Sequence, residues 1–183
     1  RYHFLCSRCH GEFGEGETGP AIINRDFLRA ADDRFLFEII ARGRVHTAMF
    51  GWSSDVYNQE KLNPGDISNI IGYMRHSASI RPSYVYQGSN PGESQAGKIL
   101  FDLRCVECHG KSGEGVKAPA LNNQEFLSAA SNGYLLATIT LGRSGTAMPS
   151  WGYGMEGYPK LSGKERSDLV AYLRSHQRIR IKF

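Results

Sequence analysis

The stretch Cys105-Val106-Glu107-Cys108-His109-Gly110 has the pattern C-x-x-C-H, and the same pattern stands earlier as Cys6-Ser7-Arg8-Cys9-His10-Gly11. Two thiols three positions apart on a helical turn can add to the two vinyl groups of one haem, and the His that follows at once lies where its ring can bind iron. A lone C-x-x-C would also suit a redox dithiol or half of a zinc site. Here two copies use all four cysteines of the chain, and each is followed by His. The reading is therefore two c-type haem attachment sites, with two covalently bound haem c groups as the cofactors.

Working outward, the step from Cys6 to Cys105 is 99 positions, and the same offset joins most of the informative residues that follow. Gly14 and Gly16 match Gly113 and Gly115, Pro20-Ala21 matches Pro119-Ala120, and Asn24, Phe27 and Leu28 match Asn123, Phe126 and Leu127. Gly43-Arg44 matches Gly142-Arg143, Thr47-Ala48-Met49 matches Thr146-Ala147-Met148, and Trp52 matches Trp151. The register runs on through Lys61-Leu62 against Lys160-Leu161 to Tyr73 against Tyr172 without an insertion. One haem domain has been duplicated. The expected boundaries are 1–76 for the first domain, 77–92 for a Ser, Pro and Gly-rich linker that lies against a domain surface, and 93–183 for the second.

Within a copy the pattern predicts helices joined by long loops, an all-α fold. Residues 93–104 place Ala96, Ile99, Leu100 and Leu103 on one helical face, expected to point inward. A helix is expected from about Asp32 to Arg42, with Asp32 as cap and Gly43 as stop, and its partner from near Ser131 to Gly142. The last helix of the second copy starts at an S-x-x-E capping box, Ser162 to Glu165, and buries Leu169, Val170, Tyr172 and Leu173. In the first copy Asn63 caps and Pro64 takes the first helical position.

A chain of 183 residues carries a formal charge of +4. Residues 1–91 hold ten basic and ten acidic side chains and 92–183 hold twelve and eight, so the excess sits in the second half. Four haem propionates would bring the assembled molecule near neutrality, which argues against nucleic acid as a partner. No apolar run is long enough to cross a bilayer. The stretch equivalent to Glu93–Ile99, the helix leading into the first motif, is expected to lie upstream of Arg1.

An iron held by one His needs a sixth ligand or an open site, and Met49 and Met148 offer a thioether at equivalent places. Met is more often core filler, but only these two of the four methionines repeat. Met74 faces Leu173 across the repeat and reads as core, and Met155 faces Val56 in a loop. The combined pattern, C-x-x-C-H-G, then G-x-G with a following Pro-Ala, then G-R-x-x-T-A-M-x-x-W and a closing amphipathic helix, resembles class I cytochrome c in a two-domain dihaem form. The resemblance implies two tandem domains, each a few helices with long loops round one covalent haem. It also implies that Cys6, Cys9, Cys105 and Cys108 are the attachments, His10 and His109 the proximal ligands, and Met49 and Met148 the distal ones. The family further implies that the carbonyls of Pro20 and Pro119 accept the other ring N–H of His10 and His109.

Arg44 and Arg143, five residues before their methionines, either pair with a propionate or are solvated. Trp52 and Trp151 either wall the haem pocket, with the N–H reaching a propionate or carbonyl, or serve as core packing. Three places depart from the repeat: Phe50 stands where the second copy has Pro149, His46 where it has Gly145, and the helix that should precede Cys6 is expected to be missing from the chain. Met49 is expected to bind the first iron in preference to His46, because the shared Thr-Ala implies the same loop path. The more polar first site is expected to have the lower potential. His3, His76 and His176 have no repeated counterpart and read as surface residues.

Functionally, the resemblance implies single-electron relay between redox partners outside the cytoplasm, in the periplasm or an equivalent compartment. The chain would act as a carrier or as the cytochrome subunit of a membrane-associated respiratory or photosynthetic complex, associated with the membrane through a segment upstream. No catalytic residue is assigned. The alternative is a dihaem oxidoreductase, peroxidase-like or sulfur-compound oxidising, which would need an open or unusual distal position.

Overall fold

Capping side chains set the starts of three helices in each copy, at the same positions. The computed structural model describes residues 1–53, 61–81 and 91–178. The first copy holds α1 (Tyr2–Leu5), α2 (Ser7–His10), α3 (Arg25–Ala30), α4 (Asp33–Arg42) and α5 (Pro64–Ala78). The second holds α6 (Ser94–Arg104), α7 (Val106–His109), α8 (Gln124–Ala129), α9 (Asn132–Leu141) and α10 (Gly163–Ser175). Asn24 and Asn123 cap α3 and α8, each side chain accepting from backbone N–H groups of the first turn. Asp32 accepts from the N–H of Phe35 to start α4, and Ser131 accepts from Tyr134 to start α9. Both final helices open with a reciprocal box, Asn63 with Asp66 and Ser162 with Glu165. Apart from these helices, the described residues contain two isolated bridges, Gly43 with Phe50 and Met155 with Tyr158.

The chain divides into two compact units, Arg1–Val85 with Arg143–Thr146, and Tyr86–Gly142 with Ala147–Phe183. In the first, α4 and α3 pack on α5, and Leu28, Ile67 and Met74 are almost wholly buried. The expectation that the helix before the first motif is missing is corrected: α1 stands directly before Cys6, and its Tyr2 is buried against Tyr73 with ring centroids 5.0 Å apart. Helix α5 runs two residues into the stretch read as linker, to Ala78, and ends at Ser79 in the left-handed conformation. The bulk of the expected linker, 82–90, lies outside the described residues, as does Val56.

The core of the second unit is the crossing of α6 and α10. Here the expected inner face of α6 is corrected: Ile99 and Leu103 are 56 % and 67 % exposed, while Gly97 and Phe101 are buried. Backbone approach decides this, not hydrophobic count. A side chain on Gly97 would begin 1.9 Å from the carbonyl oxygen of Asp168, so the two helices touch at a glycine. That contact turns Phe101 onto Tyr172, ring centroids 5.1 Å apart, and leaves the Ile99 and Leu103 face outside. The expected face of α10 is found as read, with Leu169, Val170, Tyr172 and Leu173 all buried. Burying a ring the size of Phe101 contributes about 1.5–3 kcal/mol.

One repeated pair was missed in the sequence. Arg75 donates to the carbonyls of Leu28 and Ala31 and to Asp33, and Arg174 donates to those of Leu127 and Ala130 and to Asn132. Each guanidinium ties a last helix to the end of α3 or α8, spending its planar fork on carbonyls that a finished helix leaves open. The two arginines stand at the 99-residue offset, and that identity was the available signal.

Candidate haem-binding sites

Each C-x-x-C-H motif folds as one short helix whose first Cys is also the hinge from the helix before it. Cys6 caps α2 and Cys105 caps α7, and both motifs end on a glycine with positive φ, Gly11 at 85° and Gly110 at 82°. The chain can then turn back beneath the His. Glu15 and Glu114 hold the turn, accepting from the N–H of Phe13 at 2.8 Å and of Ser112 at 2.7 Å. The carbonyls of His10 and His109 accept from Gly16 and Gly115 at 2.8 and 2.7 Å.

The loop brings the prolines to the histidines. His10 Nδ1 lies 2.8 Å from the carbonyl oxygen of Pro20, and His109 Nδ1 lies 2.9 Å from that of Pro119. A carbonyl can only accept, so in both rings Nδ1 carries a proton, and Nε2 is the nitrogen left to face a ligand. An imidazole in this tautomer, its ring held by a backbone acceptor, is prepared to ligate a metal through Nε2. His109 is 9 % exposed. Gly19 packs so closely on the His10 ring that a side chain there would start 2.9 Å from it.

All four cysteines are free thiols, Cys9 exposed and the others half-buried. Burial pushes the Cys6 thiol up to about 11 and the Cys105 thiol up to about 12. Among the described residues no cluster of three or more His, Cys, Asp or Glu could hold a metal ion. This donor set, two thiols beside an imidazole held through Nδ1 by a backbone carbonyl, fits covalently attached haem.

The distal loops leave their helices by a close approach of backbone to backbone. Gly43 and Gly142 stop α4 and α9 with φ of 70° and 68°, and a side chain on either would collide with residue 50 or 149. Thr47 donates from its N–H and hydroxyl to the Arg44 carbonyl at 3.0 and 2.7 Å, and Thr146 does the same to Arg143 at 3.1 and 2.9 Å. The loops therefore share a course, with Met49 and Met148 both half-buried in register. His46 is exposed with φ of 63°, matching 76° at Gly145.

Trp52 and Trp151 are buried, their N–H groups on the backbone donating to Ile40 and Ile139 and their carbonyls accepting from Leu62 and Leu161. Phe50 lies on Trp52 and Tyr158 on Trp151, at 4.7 and 5.7 Å between ring centroids. His3 and His76 are exposed as expected. His176 is half-buried and not wholly at the surface as expected: its Nε2 is buried and without a hydrogen-bond partner, and its ring stands edge-on to Tyr172 at 4.9 Å. The last turn of α10 folds it inward, where burial and the charge of Arg178 hold it below the usual His range.

Residues 94–177 match the cytochrome c family model. This half of the chain is thus similar to cytochrome c. The cofactor of such cytochromes is haem c, bound covalently. Among relatives, the cbb3-type cytochrome c oxidase subunit FixP of Bradyrhizobium sp. (strain ORS 278) is 28% identical over 157 residues, covering 80% of this chain and 50% of the relative. The cbb3-type cytochrome c oxidase subunit CcoP of Azospirillum brasilense is 26% identical over 164 residues, covering 80% and 52%. The chain thus spans about half the length of the curated relatives it matches. Among solved structures, the Kuenenia stuttgartiensis reducing HAO-like protein complex Kustc0457/Kustc0458 contains a chain with TM-score 0.54 and 22% identity, covering 97% of this chain and 94% of that one. That likeness concerns the fold.

Proposed function

We propose that this chain relays single electrons through two haems, each held by one copy of the repeat, as the electron-transfer part of a larger membrane-associated oxidase-type complex or as a carrier. The observation that supports it most is the duplicated proximal geometry, His10 on Pro20 and His109 on Pro119, with a methionine loop in register on each copy. On this reading Cys6, Cys9, Cys105 and Cys108 attach the haems, His10 and His109 are proximal ligands, and Met49 and Met148 are distal. Bound haem would supply one-electron iron chemistry. On the same reading the two prolines fix the imidazole tautomer and ring direction, Trp52 and Trp151 would wall the pockets, and Arg44 and Arg143 would pair with propionates.

A thioether opposite imidazole favours the ferrous state and suits transfer over oxygen chemistry. Enzyme activity is not part of the proposal. Covalent haem attachment points to a compartment outside the cytoplasm. Names of relatives as oxidase subunits support a partner within such a complex.

The test is a haem count followed by an optical redox titration of the whole chain. Two haems per chain and two low-spin transitions at high potential are expected. One haem, or a high-spin ferric species at rest that consumes peroxide in the presence of a donor, would replace relay by catalysis.

A further inference from the structure

Asn122, Gln124, His176 and Arg178 line a cavity of about 240 Å³ in the second unit. None of the four is a proposed haem ligand, and a single amide assembles them. Gln124 donates from its side-chain nitrogen to the carbonyls of Asn122 and His176, both at 3.0 Å, and its side-chain oxygen accepts from the N–H of Arg178 at 2.7 Å. One side chain thus gathers the backbone of the other three. Asn122 donates its amide nitrogen to the Ser112 carbonyl at 3.0 Å, which leaves its amide oxygen as an acceptor. At the 99-residue offset the first copy has Ile23, Arg25, Ser77 and Ser79, so the histidine and both amides have no counterpart there.

The polar groups of this cavity do not balance among themselves. His176 Nε2 is buried without a hydrogen-bond partner, and the edge-on contact of its ring with Tyr172 at 4.9 Å opposes turning that nitrogen out to water. A bound polar group would recover the free energy that such an atom costs. Burial and the charge of Arg178 favour the neutral imidazole, so the charge of the lining is that of Arg178. Arg174, two residues before His176, has the same sign and is turned to the carbonyls of Leu127 and Ala130. No carboxylate is among the four lining residues. The lining therefore repels a metal cation and attracts an anion.

We infer that the cavity binds a small, partly protonated oxyanion of the phosphate class, free in solution, held by Arg178, His176 and Asn122. The guanidinium fork matches two of its oxygens. Its hydroxyl can donate to the Asn122 amide oxygen, and because it both donates and accepts it can meet Nε2 in either imidazole tautomer. Sulfate has no such hydroxyl at neutral pH. The inference stands apart from the haem reading, and binding would stabilise the second unit by mass action.

Inorganic phosphate is the probe. It is added at constant ionic strength to the full chain carrying its haems, and binding is read by calorimetry and by the ring-proton resonances of His176. Saturable binding of one phosphate per chain is expected, with the His176 signals moving on the same curve. Arg178→Gln should weaken binding about tenfold or more, and His176→Phe, which keeps a ring on Tyr172, several-fold. Sulfate should bind several-fold more weakly than phosphate. Arg34→Gln, at an exposed arginine of the first copy, is the control and should leave binding unchanged. A response that rises without saturating, a site that survives both Arg178→Gln and His176→Phe, or an equal loss in Arg34→Gln overturns the inference. So does capture of the chain by phosphatidylglycerol vesicles with no binding of phosphate, which would give the cavity to a lipid headgroup.

Discussion

Arg174 shows how much one side chain can hold. Its guanidinium meets the carbonyls of Leu127 and Ala130, the amide oxygen of Asn132 and that of Gln177. Removing it leaves two half-buried carbonyls without their donor, and each such loss costs about 1–3 kcal/mol. Arg174→Ala is therefore expected to lower the stability of the second unit by roughly 2–4 kcal/mol in a urea melt. Arg174→Lys should recover little, because a point-like ammonium cannot reach the four acceptors that the planar fork meets. If lysine restores full stability, the fork geometry is not what matters. Arg75→Ala should have the same effect on the first unit. Neither arginine touches a haem ligand, so both effects belong to stability and not to electron transfer.

Between elements, the crossing of α6 and α10 depends on a missing side chain and on one buried carboxylate. Gly97→Ala puts a methyl group into the backbone of α10 and into Tyr172, and overpacking of this kind costs about 1–3 kcal/mol. Gly72→Ala is the control. It lies within α5 with no atom within 4 Å of the added carbon, and alanine there is expected to stabilise by roughly 0.5–1 kcal/mol. Comparable melts for the two variants would show that close approach is not limiting. At the same crossing Asp168 accepts from the N–H of Glu93 and from Lys164, both at 2.7 Å. Burial alone would push its carboxyl up, but the Lys164 and Glu93 hydrogen bonds outweigh it and hold it below the usual Asp range. A carboxyl lowered on folding stabilises fully above its unfolded value, near 4, and that contribution is lost as the pH falls through the folded value. Stability of the wild type and of Asp168→Asn, compared from about pH 6 downward, should therefore converge below about pH 4. A gap that persists unchanged into acid would remove the charge from the account.

At the scale of the whole chain, the duplication gives each half its own motif, its own capped helices and its own arginine tie. We propose that each repeat folds round its own haem. Residues 91–183 expressed alone with the haem-attachment machinery are expected to carry one haem and to keep the ligand spectrum assigned to Met148 in the whole chain. If the fragment takes up haem but gives a high-spin spectrum, the second site needs the rest of the chain. The apolar exposure of Phe4 and of Leu103, 83 % and 67 % at equivalent positions, is likewise a property of the repeat and not of one copy.

What the sequence by itself determined is whatever covalent spacing and local hydrogen bonding decide. The two C-x-x-C-H motifs, the 99-residue register, the caps at Asp32, Asn63, Ser131 and Ser162, and the glycine stops at 43 and 142 all act within a few residues, so they could be read before any fold was known. The Pro20 and Pro119 partners were reachable through the resemblance, and both meet their histidines. The inner face of α6 was not legible, because periodicity favoured Ile99 and Leu103 whereas contact with Asp168 at Gly97 turned the helix. The same holds for His176, drawn inward by the last turn of α10, and for Arg75 and Arg174, whose acceptors lie 42 to 47 residues away along the chain. Only tertiary structure decides which backbones come close enough to exclude a side chain, and that choice fixes which of several apolar faces is buried.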